Sequence, residues 1–522
     1  MMRYEEFLRE SARRDADREV IVHASGRITY GAFDAAVDRF ASALVHGANL
    51  SRNERCVLFL DNRPETAVGI FGTLRAGGVF SVINPTTKVD KLAYVMNNCE
   101  ASVLVTQAAL LPVARAAAAQ APSVRRVIVV DGGDDPSAIA YADFMAAAPA
   151  RLPDAPRGLD IDLAMLVYTS GSTGQPKGVM MTHKNIVHAA TSITTYLEAR
   201  ANDVVLSVLP LSFDYGLYQL LMCVKVGATL VLEKSFAFPQ KILPILATER
   251  VTGFPLVPTM AALIVQLRNF DPAWAASVRY LTNTAAALPP AHIRKLQDLF
   301  PKARVYSMYG MTESKRCTYL PPEQLAMRPD SVGIAIPGTE VWVADEEGRP
   351  VEPNVVGELV VRGGHVMQGY WRNEEATSKT LKPGRYPWEK VLHTGDLFRM
   401  DEEGYCYFVG RKDDIIKSRG EKVSPKEVEN VLYALPGVKE AAVVGVPDEL
   451  LGRALKAIIA LADDATVQAR DVVAHCVANL EDFMVPRLIE FRATLPKTST
   501  GKIRRTALQS EAEGHALPGD QE

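Results

Sequence analysis

The run Tyr168-Thr169-Ser170-Gly171-Ser172-Thr173-Gly174-Gln175-Pro176-Lys177-Gly178 follows an apolar stretch at 164–167 and precedes an amphipathic stretch that opens at Thr182. Its three glycines, Gly171, Gly174 and Gly178, let backbone N–H groups come close to an anion. The hydroxyls of Thr169, Ser170, Ser172 and Thr173 add neutral donors, and Lys177 adds a mobile positive charge. Such a loop suits the β- and γ-phosphates of a nucleotide. It is not a Walker A loop, because G-x-x-x-x-G-K-[ST] cannot be threaded through GSTGQPKG. Thr182 is well placed to cap a helix that leads away from it.

On either side of this loop the chain alternates short apolar runs with helical patterns. SGRITYGAFDAAVDRFASALV reads as a short strand pair entering an amphipathic helix. ERCVLFLDNRPETAVGIFGTLRAGG reads as a buried strand, a turn and a second helix, and ASVLVTQ and VRRVIVVDGG read as further buried strands. That alternation predicts an α/β architecture with largely parallel sheets. Beyond about Gly333 the runs become short, β-rich and punctuated by Gly, Pro and acidic turns, which predicts a small β-barrel-like subdomain. After Arg411 the pattern changes again: a strand, a Gly turn, a helix opened by Ser424-Pro425, then hairpin strands. The expected boundary therefore lies at 412/413. Residues 1–412 form a body of two α/β subdomains plus the β subdomain, and residues 413–522 form a small, mobile α+β C-terminal domain.

Bulk composition agrees with a large globular enzyme. The 522 residues carry 58 Lys and Arg against 61 Asp and Glu, a net charge of −3, with 48% hydrophobic residues. A near-neutral chain gives no electrostatic reason to expect nucleic acid or an anionic membrane as partner. Cys56, Cys99, Cys223, Cys317, Cys406 and Cys476 are scattered, without C-x-x-C spacing, which argues against zinc or a disulfide framework and fits a reducing cytoplasm. The charged opening MMRYEEFLRESARRDADRE reads as a helix, not as a leader. No apolar run approaches the ~20 residues of a membrane span.

From the phosphate loop onward the sequence resembles the adenylate-forming superfamily, which includes acyl-CoA synthetases, peptide-synthetase adenylation domains and firefly-type luciferases. YTSGSTGQPKGV is similar to its signature phosphate loop, Tyr309-Gly310-Met311-Thr312-Glu313 to its Y-G-x-T-E, and His393-Thr394-Gly395-Asp396 to its T-G-D. Gly410-Arg411-Lys412-Asp413-Asp414 resembles its hinge motif, and Pro496-Lys497-Thr498-Ser499-Thr500-Gly501-Lys502 its C-terminal lysine motif. Five matches in family order cover nearly the whole chain.

The resemblance implies an AMP-forming acid–thiol ligase. A carboxylate attacks the α-phosphate of ATP, pyrophosphate leaves, and the acyl-adenylate passes its acyl group to a thiol. By the same resemblance Lys502 bridges carboxylate and α-phosphate, Glu313 is the Mg2+ ligand, and Thr312 with Thr169, Ser170, Gly171, Ser172, Thr173, Gly174 and Lys177 holds phosphate oxygens. Asp396 and Arg411 hold the ribose. Tyr309 lies against the adenine, with the backbone around Ala286 on the other side. Asp413 is the hinge about which the C-terminal domain turns, and Lys417, Arg419 and Lys422 lie in the segment swung toward a CoA or phosphopantetheine phosphate. Read on their own, Asp396 fits a Gly-Asp turn, Glu313 a helix cap, and the basic segment a solvated hairpin.

The acid is less legible. Phe213-Asp214, in PLSFDYG, departs from the P-L-F-H-type segment of many fatty and aryl acyl-CoA synthetases. It resembles the F-D of amino-acid-activating domains, whose aspartate holds a substrate ammonium; a structural aspartate in a loop is the other reading. Lys315-Arg316 either meets a substrate carboxylate or the adenylate, or pairs with surface acids such as Glu323. The expected partners are a small carboxylic acid and, as acceptor, CoA or a phosphopantetheinylated acyl or peptidyl carrier protein. A stand-alone amino- or β-amino-acid adenylation enzyme is the alternative reading. Oligomeric state is not legible.

Overall fold

The structure, a computed structural model, describes residues 3–132, 135–152, 158–170, 175–284, 288–412, 414–418, 421–448, 452–498 and 502–513. Two large sheets form the body. The seven-stranded sheet runs Ile139–Ala140, Arg126–Val130, Ala101–Gln107, Arg55–Phe59, Val79–Val82, Leu163–Ser170 and Pro176–Thr182. All of its neighbours pair in parallel except the last two, which form an antiparallel hairpin. Successive residues of a strand face opposite sides. Thus Cys56 and Leu58 join one hydrophobic core while Val57 and Phe59 join another, and Val103 and Val105 part from Leu104 in the same way. Both faces are covered, so these strands read as unbroken apolar runs.

The nine-stranded sheet decides where chemistry can occur. Its order is Ile334–Ala335, Thr318–Tyr319, Arg304–Tyr309, Tyr280–Asn283, Gly253–Leu256, Val204–Ser207, Thr229–Leu232, Glu19–His23 and Gly26–Thr29. The strands from Arg304–Tyr309 to Glu19–His23 run parallel. Two loops leave the C-terminal ends of these strands in the same direction: 208–213 and 310–317. In open α/β sheets the crevice beyond those ends is where ligands bind.

The predicted β subdomain is a five-stranded antiparallel sheet in which Lys390–Met400 pairs with Gly357–Gly363, Leu381–Pro383 and Cys406–Arg411, and Thr339–Ala344 adds an edge. After it come the hairpin Ile416–Ser418 and Glu421–Val423, the helix Pro425–Ala434, and the three-stranded sheet Val438–Asp448, Gly452–Leu461 and Leu488–Arg492. Ser424 caps that helix from its Oγ, and Pro425 opens it, as the sequence indicates. This part has its own core, with Ala441 and Val443 facing one side and Ala442 and Val444 the other.

One element departs from expectation. Residues 176–182, read from sequence as an exit from the loop into a helix, are themselves a strand, and only then does Thr182 cap the helix His183–Tyr196 in a box with Asn185. Pro176 at the strand's first position needs no ladder N–H, and Val179 and Met181 are buried in the core. All six cysteines are free and buried. No helix among the described residues is long and apolar enough to cross a membrane.

The helix Asp214–Val226 starts under tight packing. A Cβ on Gly216 would lie 2.3 Å from the carbonyl oxygen of Pro210 and 2.7 Å from that of Leu209. Gly216→Ala therefore costs about 1–3 kcal/mol, read as a lower urea midpoint for unfolding than the wild type shows.

Candidate active site

The loop 208–213 is tied down before it reaches Asp214. Asn62 donates from Nδ2 to the carbonyl of Leu209 at 2.9 Å, and its Oδ1 accepts from the Leu211 N–H at 2.8 Å. Phe213 then takes extended backbone angles, and Asp214 is the first residue of its helix, buried. Asn62 stands in the DNRPE turn, far away in sequence, and nothing in its local context marks it as a support for this segment.

Opposite Asp214 the loop 310–317 folds back on itself. The Lys315 N–H donates to the Met311 carbonyl at 2.6 Å and the Cys317 N–H to Tyr309 at 2.9 Å. The turn is so tight that a Cβ on Gly310 would lie 2.0 Å from the Lys315 carbonyl oxygen, and Lys315 itself sits at φ +65°. This loop presents Thr312 half-buried and Glu313 buried. Glu313 starts no helix; its Oε1 accepts from the Tyr370 hydroxyl at 2.7 Å. Tyr370 also offers its ring to Lys177, whose Nζ lies 5.4 Å from the centroid. Lys177 and Thr169 are cross-strand partners in the hairpin that carries the phosphate loop. One tyrosine thus links that hairpin to the carboxylate. The run VMQGYW, with its lone tyrosine between glycine and tryptophan, is the sequence signal that marks it.

The third wall comes from the β subdomain. Gly395, at φ +71°, turns the strand so that its N–H donates to Glu358 and the Asp396 N–H to Thr394 Oγ1 at 3.1 Å. Asp396 is then held by the Tyr309 hydroxyl at 2.6 Å on Oδ2 and faces Arg411 Nε at 3.5 Å from Oδ1. Burial raises the proton affinity of Asp396, and the Tyr309 bond and Arg411 oppose that rise. The Tyr309 ring packs edge-on against Phe398, with centroids 4.8 Å apart.

Lys502 arrives from the far end of the chain. Its N–H donates to Thr498 Oγ1 at 3.1 Å, and the helix Arg505–Ala512 follows. The residue is open to solvent, yet its ammonium faces enough protein for desolvation to lower its proton affinity. Asp214 and Asp396 act on it in the opposite sense, and Arg411 reinforces the lowering. Lys502, Asp214, Asp396 and Arg411 are therefore electrostatic neighbours, although they come from four separate segments.

Lys315 and Arg316 are not surface residues and make no bond with Glu323. Lys315 is 0% and Arg316 4% exposed. The guanidinium of Arg316 lies 4.6 Å over the Tyr215 ring and donates from Nη1 to the Lys315 carbonyl at 2.7 Å. Burial pulls the Lys315 ammonium down to about 8, against the opposing pull of Asp214 and Glu313. The carbonyl of Arg316 is faced by His365, which stacks on His188 with centroids 5.4 Å apart.

Of the residues singled out from sequence, Thr169, Lys177, Phe213, Asp214, Tyr309, Thr312, Glu313, Lys315, Arg316, Asp396, Arg411 and Lys502 surround this crevice or its walls. Gly171, Ser172, Thr173, Gly174, Ala286, Asp413 and Arg419 lie outside the described residues, as do the side chains of Ser170, Lys417 and Lys422. Among the described residues no group of three or more His, Cys, Asp or Glu could hold a metal ion. A single carboxylate such as Glu313 still fits a magnesium that takes most of its other ligands from phosphates and water.

Comparison with known proteins follows the same outline. Residues 8–371 match the model of the AMP-binding enzyme family and residues 427–502 that of the AMP-binding enzyme C-terminal domain. The chain is 30% identical over 545 residues to a long-chain-fatty-acid–CoA ligase of Bacillus subtilis (strain 168), covering 98% of this chain and 95% of that one. It is 32% identical over 495 residues to a feruloyl-CoA synthase of an Amycolatopsis species, covering 94% and 95%. Its fold is similar to that of an anthranilate CoA ligase in complex with anthranoyl-AMP, with TM-score 0.89, 26% identity and coverage of 98% and 97%.

The buried histidines give the site region a pH signature. Burial beside His188 holds His365 down at about 3, whereas an unfolded histidine titrates near ~6.5. Below that pH the unfolded chain takes a proton that the folded chain refuses, so stability falls as pH drops from about 6.5 toward 3, by about 1.4 kcal/mol per unit for this residue. Urea unfolding at pH 7 and pH 5 checks this: His365→Gln shows a smaller loss between the two than the wild type.

Proposed function

This chain belongs to the AMP-binding enzyme family, and on that footing we propose that it activates a small carboxylic acid with ATP, releases pyrophosphate, and passes the acyl group from the adenylate to the thiol of CoA. The observation that carries this reading is that Asp214, which follows the C-terminal end of a parallel strand, and Asp396 and Arg411 of the β subdomain all act electrostatically on Lys502. A carboxylate and an α-phosphate are both anions, so their reaction needs a cation where they meet.

One carboxylate oxygen forms a bond to the α-phosphorus while the bond to the bridging oxygen of pyrophosphate breaks, and pyrophosphate carries that electron pair away. Lys502 stands at the meeting point. Desolvation lowers its proton affinity, and Asp214 and Asp396 oppose that lowering. Lys177 and the hydroxyls of its hairpin loop receive the leaving phosphates. Asp396, already braced by Tyr309, offers its carboxylate to the ribose hydroxyls. Glu313 would hold magnesium, fixed in place by Tyr370; the ion neutralises phosphate charge when bound.

Transfer to the thiol follows a turn of the C-terminal segment about residue 413, which is also where we place the domain boundary. Arg505 supports this pivot. Three residues beyond Lys502, it donates to Asp414 Oδ2 at 3.0 Å and to Glu429 Oε1 at 2.5 Å, so Lys502 and the residue next to the pivot move as one piece. CoA is favoured as acceptor because the relatives are named CoA ligases. They also differ in their acid, fatty in one case and phenylpropanoid in the other, at nearly equal identity. An amino-acid substrate is disfavoured by the neighbours of Asp214: Lys315 and Lys502 already share its charge.

Carboxylate-dependent ATP–pyrophosphate exchange over an acid panel tests the first step. Lys502→Ala is expected to lower exchange about 100-fold or more, and equal exchange in the variant removes that lysine from the mechanism. Offering CoA and a phosphopantetheinylated carrier side by side, with the thioester read by mass, decides the acceptor. Tyr370→Phe frees Glu313 from its bond and is expected to raise the magnesium concentration for half-maximal exchange several-fold, with the KM for the acid unchanged.

A further inference from the structure

Two cations in the body have no anion of their own. Lys315 Nζ is wholly buried and has no hydrogen-bond partner among the described residues, and the same holds for Arg316 Nε. What Arg316 does make is one bond to a backbone carbonyl and a stack on Tyr215. The buried Tyr218 hydroxyl, on which Asp214 and Arg316 both act electrostatically, is also without a hydrogen-bond partner among the described residues. Taking a charge out of water is costly unless an opposite charge meets it.

The acids at hand do not meet it. Glu313 is held by Tyr370 and is the candidate metal ligand. Asp214 acts electrostatically on both Lys315 and Lys502. Lys315 therefore shares Asp214 with Lys502, and Arg316 beside it adds a second positive charge. When the reacting carboxylate enters it answers Lys502, and once it is adenylated it carries no charge. An ammonium on the substrate would add a third like charge beside Lys315 and Arg316, and an alkyl or unsubstituted aryl tail would leave both uncompensated.

We propose that Lys315 and Arg316, with the Tyr218 hydroxyl, bind a second carboxylate on the substrate, so that the acid activated is a dicarboxylic acid. This rests on the adenylating activity proposed above and names its substrate class. The guanidinium stacked on Tyr215 is oriented for a planar acceptor. Lys315, locked at φ +65° in a loop that Gly310 alone allows to close, cannot withdraw to solvent. The second carboxylate supplies the missing anion and stays ionised throughout the reaction.

The test is ATP–pyrophosphate exchange by the full chain on sets of equal length: the dicarboxylic acid, the monocarboxylic acid, the ω-hydroxy acid and the ω-amino acid. The expected result is a kcat/KM for the dicarboxylic acid at least about 10-fold above the other three. In Lys315→Met and in Arg316→Gln the ratio of dicarboxylic to monocarboxylic kcat/KM falls toward one, through the KM of the acid, with the KM of ATP unmoved. Lys315→Arg, which keeps the charge and guards against misfolding in the other two, preserves the preference. Monocarboxylic or amino acids turned over best by the wild type would overturn the proposal and leave the adenylating activity standing. So would variants that slow every acid equally. Exchange with no acid at all would overturn that activity and the proposal with it.

Discussion

Asp214 carries the charge on which the arrangement of the site turns. Its carboxylate is within electrostatic reach of Lys315, fixed in the body, and of Lys502, borne on the C-terminal segment. Remove it and both ammonium groups lose an opposing charge. Because it is buried at the start of a helix, it keeps its strength as a counter-ion, since fields are weakly screened where water is excluded. The same carboxylate thus acts on a lysine of the body and on one of the C-terminal segment.

The rest of the body exists to hold that point still. The sheet supplies loops at one end of its parallel strands, and each loop is closed by a feature that leaves no slack. Asn62 clamps 208–213, Gly310 lets 310–317 double back, and Gly395 kinks the strand so that Asp396 meets Tyr309. Aromatic hydroxyls from distant elements, Tyr309 and Tyr370, then fix the two functional carboxylates. Each tyrosine joins two segments, which makes the site rigid on the body side. The segment beyond residue 412 has its own core and is tied together by Arg505.

Legibility from sequence varied with the range of the interaction. The helix caps at Thr182 and Ser424, the buried strands and the change of texture near Gly333 are local signals, and all appear in the structure. The strand Pro176–Thr182 was hidden because its pairing partner, Leu163–Ser170, gives it its burial, and a proline at its start reads as a breaker. Tyr370 and Asn62 were missed for a related reason: each acts by a hydrogen bond to a residue far away in sequence. Lys315-Arg316 read in two ways, as partners of a substrate carboxylate or the adenylate, or as a surface pair with acids such as Glu323. Their burial follows only from the doubling back of the loop.

By itself, then, the sequence determined the kinds of element, their order and the chemistry that each motif can offer, because capping, alternation and glycine placement act within a few residues. It also determined that the positive charge needed for an anionic substrate sits in a few local places while the chain as a whole stays near neutral. Only the tertiary structure decided which charges share a space. Coulomb energy depends on distance and on the exclusion of water, and both are set by how the sheets bring Asp214, Lys315, Asp396 and Lys502 to one crevice.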